Sequence, residues 1–212
     1  MKPLVTLLEG FHPYWPFVIL DSMTGRTHDM AAFTALTYVL VTTPPDKITL
    51  ATALVAFTAN MVGGLAPDID QPTAKLWRDM RAGSIIGRII SPLIGGHRFI
   101  SHSLVGVVMA GIIARIILDL LGTFVLVDMH IVWWAFMIGV ISHLVMDFFT
   151  HEGVPIFFPI PIRLGFPPFS FLRMKTGGVV EKSFVFPVLI FLNGLMYYFN
   201  YHTVLTFLRH LH

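Results

Sequence analysis

Residues 142–150 read Ser142-His143-Leu144-Val145-Met146-Asp147-Phe148-Phe149-Thr150 and close a run from Met129 that holds no Lys, Arg, Asp or Glu before Asp147. The run reads as a membrane-spanning helix. His143 and Asp147 are four residues apart, so they share one helix face, one turn from each other. An imidazole nitrogen and a carboxylate oxygen on one face can bind a single metal ion. The same pair also serves as a plain hydrogen bond, so its meaning depends on what else reaches that end of the helix.

The composition agrees with a span. The chain has 212 residues, 55% hydrophobic and 12% charged, against about 25% charged in soluble domains. This predicts a polytopic, all-α membrane bundle in one domain, residues 1–212. Net charge is +2 with no dense basic cluster, which argues against nucleic acid as a partner. The chain has no cysteine, so any metal is held by His, Asp and Glu.

Working outward, apolar runs predict four to five spans. Ile48–Ala66, about His102–Leu121, Met129–Met146 and Ser183 to about Tyr201 are long enough to cross. Met30–Thr43 covers only about 21 Å of a roughly 30 Å core and is the weak joint. Residues 1–27 read as an interfacial extension, because two prolines and Asp21 interrupt any signal-peptide pattern. Ser101 is expected to cap the third span, and Arg115 to pair with Asp119 at its far end. Loops 71–98 and 151–182 lie on the side of the His/Asp pair. The first carries an apolar stretch, Ile85–Ile94, suited to the membrane surface. The second has five prolines and five phenylalanines between Val154 and Phe171, which exclude a regular helix and suit a cover over the membrane surface or the site.

Following five spans back and forth brings a constellation to one face. His28 precedes the first span, Asp68 and Asp70 follow the second, and His97 and His102 open the third. His143 and Asp147 close the fourth, and Glu181 precedes the fifth. That donor set is enough for one or two metal ions. All Lys and Arg except Lys47, Arg115 and Arg209 fall on the same side, so the positive-inside rule places the constellation at the cytoplasmic face.

Each residue also has a plainer reading. Asp68 and Asp70 could simply end a helix after Pro67. Arg98 could hold a substrate anion or anchor the lipid interface. Glu181 could open a helix, ligate metal or act as a general acid or base. His151 joins the His143/Asp147 face only if the helix continues, against Gly153 and Pro155. No Gly-x-Ser-x-Gly elbow, His-Glu-x-x-His motif or phosphate-binding glycine loop is present.

The motifs Thr27-His28, Leu65-Ala66-Pro67-Asp68-Ile69-Asp70, Gly96-His97-Arg98 with Ser101-His102-Ser103-Leu104, and Ser142-His143-Leu144 with Asp147, Thr150 and Gly153-Val154-Pro155 resemble the YdjM-like membrane-bound metal-dependent hydrolases of bacteria. Gly177 and Glu181 fit the same pattern, and the resemblance covers about residues 24–200. That family is similar, distantly, to zinc-dependent phospholipases C and single-strand nucleases, which cleave phosphodiesters. The resemblance implies that His28, Asp68 or Asp70, His97 or His102, and His143 with Asp147 are the zinc ligands.

The expected function is therefore a hydrolase in the bacterial inner membrane. It would use one or two divalent ions, zinc by preference, and a metal-activated water to cleave an ester or phosphoester of a lipid or lipid-linked substrate. Asp68, Asp70 or Glu181 would take the proton, and Arg98 would hold the oxyanion. The rivals are a membrane protein with a structural or sensory metal site and, more remotely, a metal or proton transporter. Transport needs ionisable groups through the membrane's depth, whereas here they gather at one end.

Overall fold

The computed structural model describes residues 15–45, 47–70, 100–160 and 162–209. His97, Arg98 and the Ile85–Ile94 stretch lie outside the described residues. All extended elements are helices: α1 (Trp15–Thr42), α2 (Leu50–Leu65), α3 (Leu104–Gly122), α4 (Met129–Phe148), α5 (Phe186–Phe199) and α6 (Tyr201–Arg209). Among the described residues, four segments are long and apolar enough to cross a membrane: Leu50–Asp70, Leu104–Gly122, Met129–Phe148 and Glu181–Phe199.

The short first span is corrected. It does not begin at Met30 but is the second half of a 28-residue helix that starts at Trp15. Of the prolines read as interruptions, Pro13 lies outside the described residues, and Pro16 does not break the helix because it falls in the first turn, where helix N–H groups have no intrahelical partner to lose. At 1.5 Å per residue α1 is about 42 Å long, and it carries Asp21, Arg26 and Asp29.

α4 is the hub and packs against α1, α2 and α3, while α5 packs against α1. α2 and α4 run parallel and very close. A Cβ on Gly63 would meet the Phe136 carbonyl oxygen, and one on Gly139 would meet the Asn60 carbonyl oxygen. Small residues let membrane helices approach this way. Asn60 Nδ2 donates to the Ala135 carbonyl at 3.0 Å across the same seam. Ala56, Val132 and Ala135 form the buried apolar cluster deeper in the bundle. At the end away from the site, Thr49 caps α2 and Asp128 caps α4. Trp133 Nε1 donates to the Gly111 carbonyl at 2.8 Å and fastens α4 to α3. Asn193 Nδ2 donates to Thr34 Oγ1 at 2.6 Å and fastens α5 to α1.

The cap of α3 is Ser103, which accepts from Gly106 N at 3.1 Å, and not Ser101 as the sequence suggests. Residues 100–103 form a turn, closed by Ser103 N donating to the Ile100 carbonyl, so the helix starts two residues later and Ser101 is free for another partner. Arg115 and Asp119 do pair, at 3.0 Å on the exposed face of α3. The Phe/Pro-rich loop is irregular, as its composition requires. Arg173 ties it by donating to the carbonyls of Pro167 (2.7 Å) and Pro168 (2.9 Å). Leu104 N donates to the Ile156 carbonyl at 3.1 Å, so the loop lies against the start of α3.

Candidate metal centre

Four elements deliver polar side chains to one end of the bundle. α1 carries His28. The 3-10 turn Ala66–Asp70 that ends α2 carries Asp68 and Asp70, and the turn before α3 carries His102. The last turns of α4 carry His143 and Asp147. His28, Asp70, His102, His143 and Asp147 are buried. Asp68 keeps 27% of its side chain exposed, so the cluster meets its surroundings there.

The donor atoms converge. His102 Nε2 lies 3.6 Å from Asp68 Oδ1 and 3.1 Å from Asp147 Oδ2. His143 Nε2 lies 3.6 Å from each of the same two oxygens. Four atoms placed tetrahedrally about 2.0 Å from one ion are about 3.3 Å apart. Three of the four edges, at 3.6 Å, are longer than a hydrogen bond, and the fourth, His102 Nε2–Asp147 Oδ2 at 3.1 Å, has the length of either a hydrogen bond or a coordination-sphere edge. His28 Nε2 joins from the other side, 3.4 Å from Asp147 Oδ1, so Asp147 turns one oxygen toward His28 and the other toward the imidazole pair. Two overlapping triads could each hold an ion, His28–His143–Asp147 and Asp68–His102–His143.

Second partners fix the imidazoles. His143 Nδ1 is 2.6 Å from the Gly64 carbonyl, which only accepts, so Nδ1 carries the proton and donates. His143 Nε2 is then a lone pair facing the cluster, and it has no hydrogen-bond partner. His102 Nδ1 is 2.8 Å from Ser101 Oγ. The Ser101 hydroxyl donates to Asp70 Oδ2 and has one proton to give, so it accepts from His102 Nδ1–H. A neutral His102 then turns its Nε2 lone pair inward, 3.1 Å from Asp147 Oδ2. Nitrogen lone pairs and carboxylate oxygens aimed at one point repel each other unless a cation sits among them. The donor set fits a divalent ion of the zinc class.

The structure thus brings together His28, Asp68, His102, His143 and Asp147 from the expected set. Asp70 sits behind His102, 3.8 Å from its Nδ1. Glu181 stands apart from both triads; it is buried at the start of a π turn, Glu181–Val185, and its Oε2 accepts from Gly177 N at 2.6 Å. His151 is exposed and its Nδ1 contacts the Ser170 carbonyl at 2.8 Å, because α4 has already ended at Phe148. Two partners were not read from the sequence as part of the site. Ser101 passed for a cap, and Gly64 acts through a backbone carbonyl whose only trace in sequence is the Gly63-Gly64 pair.

Residues 23–206 match the family model described as YdjM inner membrane protein. A protein of Bacillus subtilis (strain 168), described as "Uncharacterized protein YvsG", is 30% identical over 160 residues, covering 76% of this chain and 86% of the relative. No solved structure matches the chain.

Proposed function

The chain belongs to the YdjM inner membrane protein family, and from that premise we propose that it is a membrane-bound metal-dependent hydrolase acting on an ester or phosphoester of a lipid or lipid-linked substrate. The observation that carries the reading is the cluster of His102, His143, Asp147 and Asp68 at ion-ligand spacing, with Asp68 its partly exposed member among the described residues. A divalent ion of the zinc class, when bound, acidifies water and polarises a phosphoryl or carbonyl oxygen.

The chain's own residues divide the remaining work. Ser101 and Asp70 hold the His102 tautomer, and Gly64 holds that of His143. His102, His143 and Asp147 would hold the ion and leave a fourth position for water beside Asp68, the partly exposed carboxylate, which would take that water's proton. His28 and Asp147 Oδ1 offer the start of a second ion site. Arg98, four residues before His102 in the sequence, would supply the positive charge for a substrate oxyanion. Glu181 anchors the turn at Gly177. The excess of Lys and Arg on this side supports a cytoplasmic site.

The test starts with elemental analysis of detergent-purified protein, prepared without chelators, beside His143→Ala and Asp147→Ala. We expect stoichiometric zinc or manganese in the wild type, lost in both variants. The loaded protein is then assayed against phospholipids and lipid-linked phosphates. A metal-free wild type overturns the centre, and a loaded protein active only on soluble esters overturns the lipid substrate. The burial of all donors but Asp68 favours one rival, a structural or sensory ion. That rival predicts full metal content with no turnover on any ester.

A further inference from the structure

The opening at Asp68 leads somewhere. Asp68 is flanked by Pro67 and Ile69, and both line the upper end of a groove of about 630 Å³ between α2 and α3. The groove exists because α2 and α3 each lean on α4 without packing closely on each other. Its floor is a straight stripe of α4, Val132, Phe136 and Val140, and His143 follows one turn beyond Val140. Its walls are cut back by Ala59, Ala110 and Ala114. Among the described residues lining it, Thr58 and Ser101 alone bear hydroxyls, and Ser101 marks the end at the candidate metal centre.

Its length selects an occupant. Along α2 and into the turn that ends it the lining runs from Leu54 to Ala66, and on α3 from Gly106 to Leu118. Twelve residues of helix cover about 18 Å. One leaflet is half of the roughly 30 Å hydrocarbon core, about 15 Å. The groove therefore spans one leaflet's depth, opens toward the hydrocarbon region through the exposed faces of α2 and α3, and ends at the polar centre. The volume lies within the range of small-molecule sites, about 300–1,000 Å³.

We propose that this groove seats one acyl chain of a single bilayer lipid, placing the first polar bonds of that lipid beside Asp68 at the mouth of the metal centre. That the seated lipid is a substrate rests on the hydrolase reading; the seat itself does not. The lipid arrives laterally from the leaflet and needs no aqueous path, and the groove orients it with chain toward the bilayer centre and headgroup toward the donors. Each buried methylene adds to the hold.

The experiment uses the full chain in nanodiscs of phosphatidylethanolamine and phosphatidylglycerol, doped with phosphatidylglycerol whose palmitoyl chain carries a photoactivatable diazirine at its midpoint. After irradiation and digestion, label is expected on Thr58–Val62 of α2 and Met109–Ile113 of α3. Ala110→Trp fills the middle of the groove and should cut that labelling about tenfold, the effect of displacing two buried methylenes. Thr58→Trp is a second filling variant from the opposite wall, and Phe191→Trp, on the exposed face of α5, should leave labelling unchanged. Metal content checks that each variant is folded.

Label spread evenly over the exposed faces of α3 and α5 means ordinary surrounding lipid and overturns the seat. So does labelling that ignores both filling variants, or cross-links from the groove to residues 71–99 or to a second copy. Localised label without ester hydrolysis supports the seat and removes the hydrolase reading. Hydrolysis without localised label does the reverse.

Discussion

Ser101 shows how much of a candidate metal centre rests on a residue that would not itself touch the ion. Its oxygen receives the Nδ1 proton of His102 while its own proton goes to Asp70. Removing such a partner typically costs ten- to a hundredfold in metal affinity. We expect Ser101→Ala to weaken zinc binding by about tenfold or more, measured by competition with a chromophoric chelator, with His143→Ala abolishing it. Asp70→Asn should behave like Ser101→Ala, since it acts through the same hydroxyl; loss of all metal in Asp70→Asn would make Asp70 a ligand instead. The convergence of His28, Asp68, His102, His143 and Asp147 was legible, because His143 and Asp147 share a helix face and parity of spans carries the others to the same end. Ser101 was not, because two serines precede α3 and only the turn at Ile100 decides which one caps the helix. Asp70 looked equivalent to Asp68 in sequence; a single 3-10 turn separates the half-open carboxylate from the buried one.

Among the elements, the α2–α4 seam is the most demanding contact. Gly63 and Gly139 stand where the partner backbone leaves no room for a methyl group, whereas Gly194 on α5 has nothing within 4 Å of an added Cβ. Opposite signs are therefore expected from the same chemical change. Gly139→Ala should destabilise the protein by about 1–3 kcal/mol through overpacking. Gly194→Ala should stabilise it by about 0.5–1 kcal/mol by helix propensity. Unfolding in mixed detergent micelles measures both, and equal effects would mean that the seam is looser than described. The spans α2, α3, α4 and α5 could be read from apolar length alone. The N-terminal half of α1 could not, since proline signals a break in a helix interior and is harmless in a first turn, and sequence alone does not say which turn is first.

At the scale of the whole molecule, the polar centre and the Phe/Pro loop gather at one end of the described residues, and the link between α3 and α4 lies at the other. With no native cysteine, single cysteines report orientation without background. Leu126→Cys, in that fully exposed link, should react with a membrane-impermeant maleimide in intact spheroplasts. Lys175→Cys, on the centre's side, should react only after lysis. The reverse pattern would put the centre on the periplasmic face.

One contact ties these scales together. The Gly64 carbonyl that orients His143 belongs to the residue next to Gly63, where α2 and α4 touch. The seam and the ion's cradle thus share a backbone, and neither can open without disturbing the other. Heat resistance becomes a gauge of occupancy. At a free ion concentration about a thousand times its Kd, a ligand bound only by the folded state adds about 4 kcal/mol. The melting temperature in detergent should rise with added zinc and fall with a chelator. Ser101→Ala should need more zinc for the same rise, and His143→Ala should not respond at all.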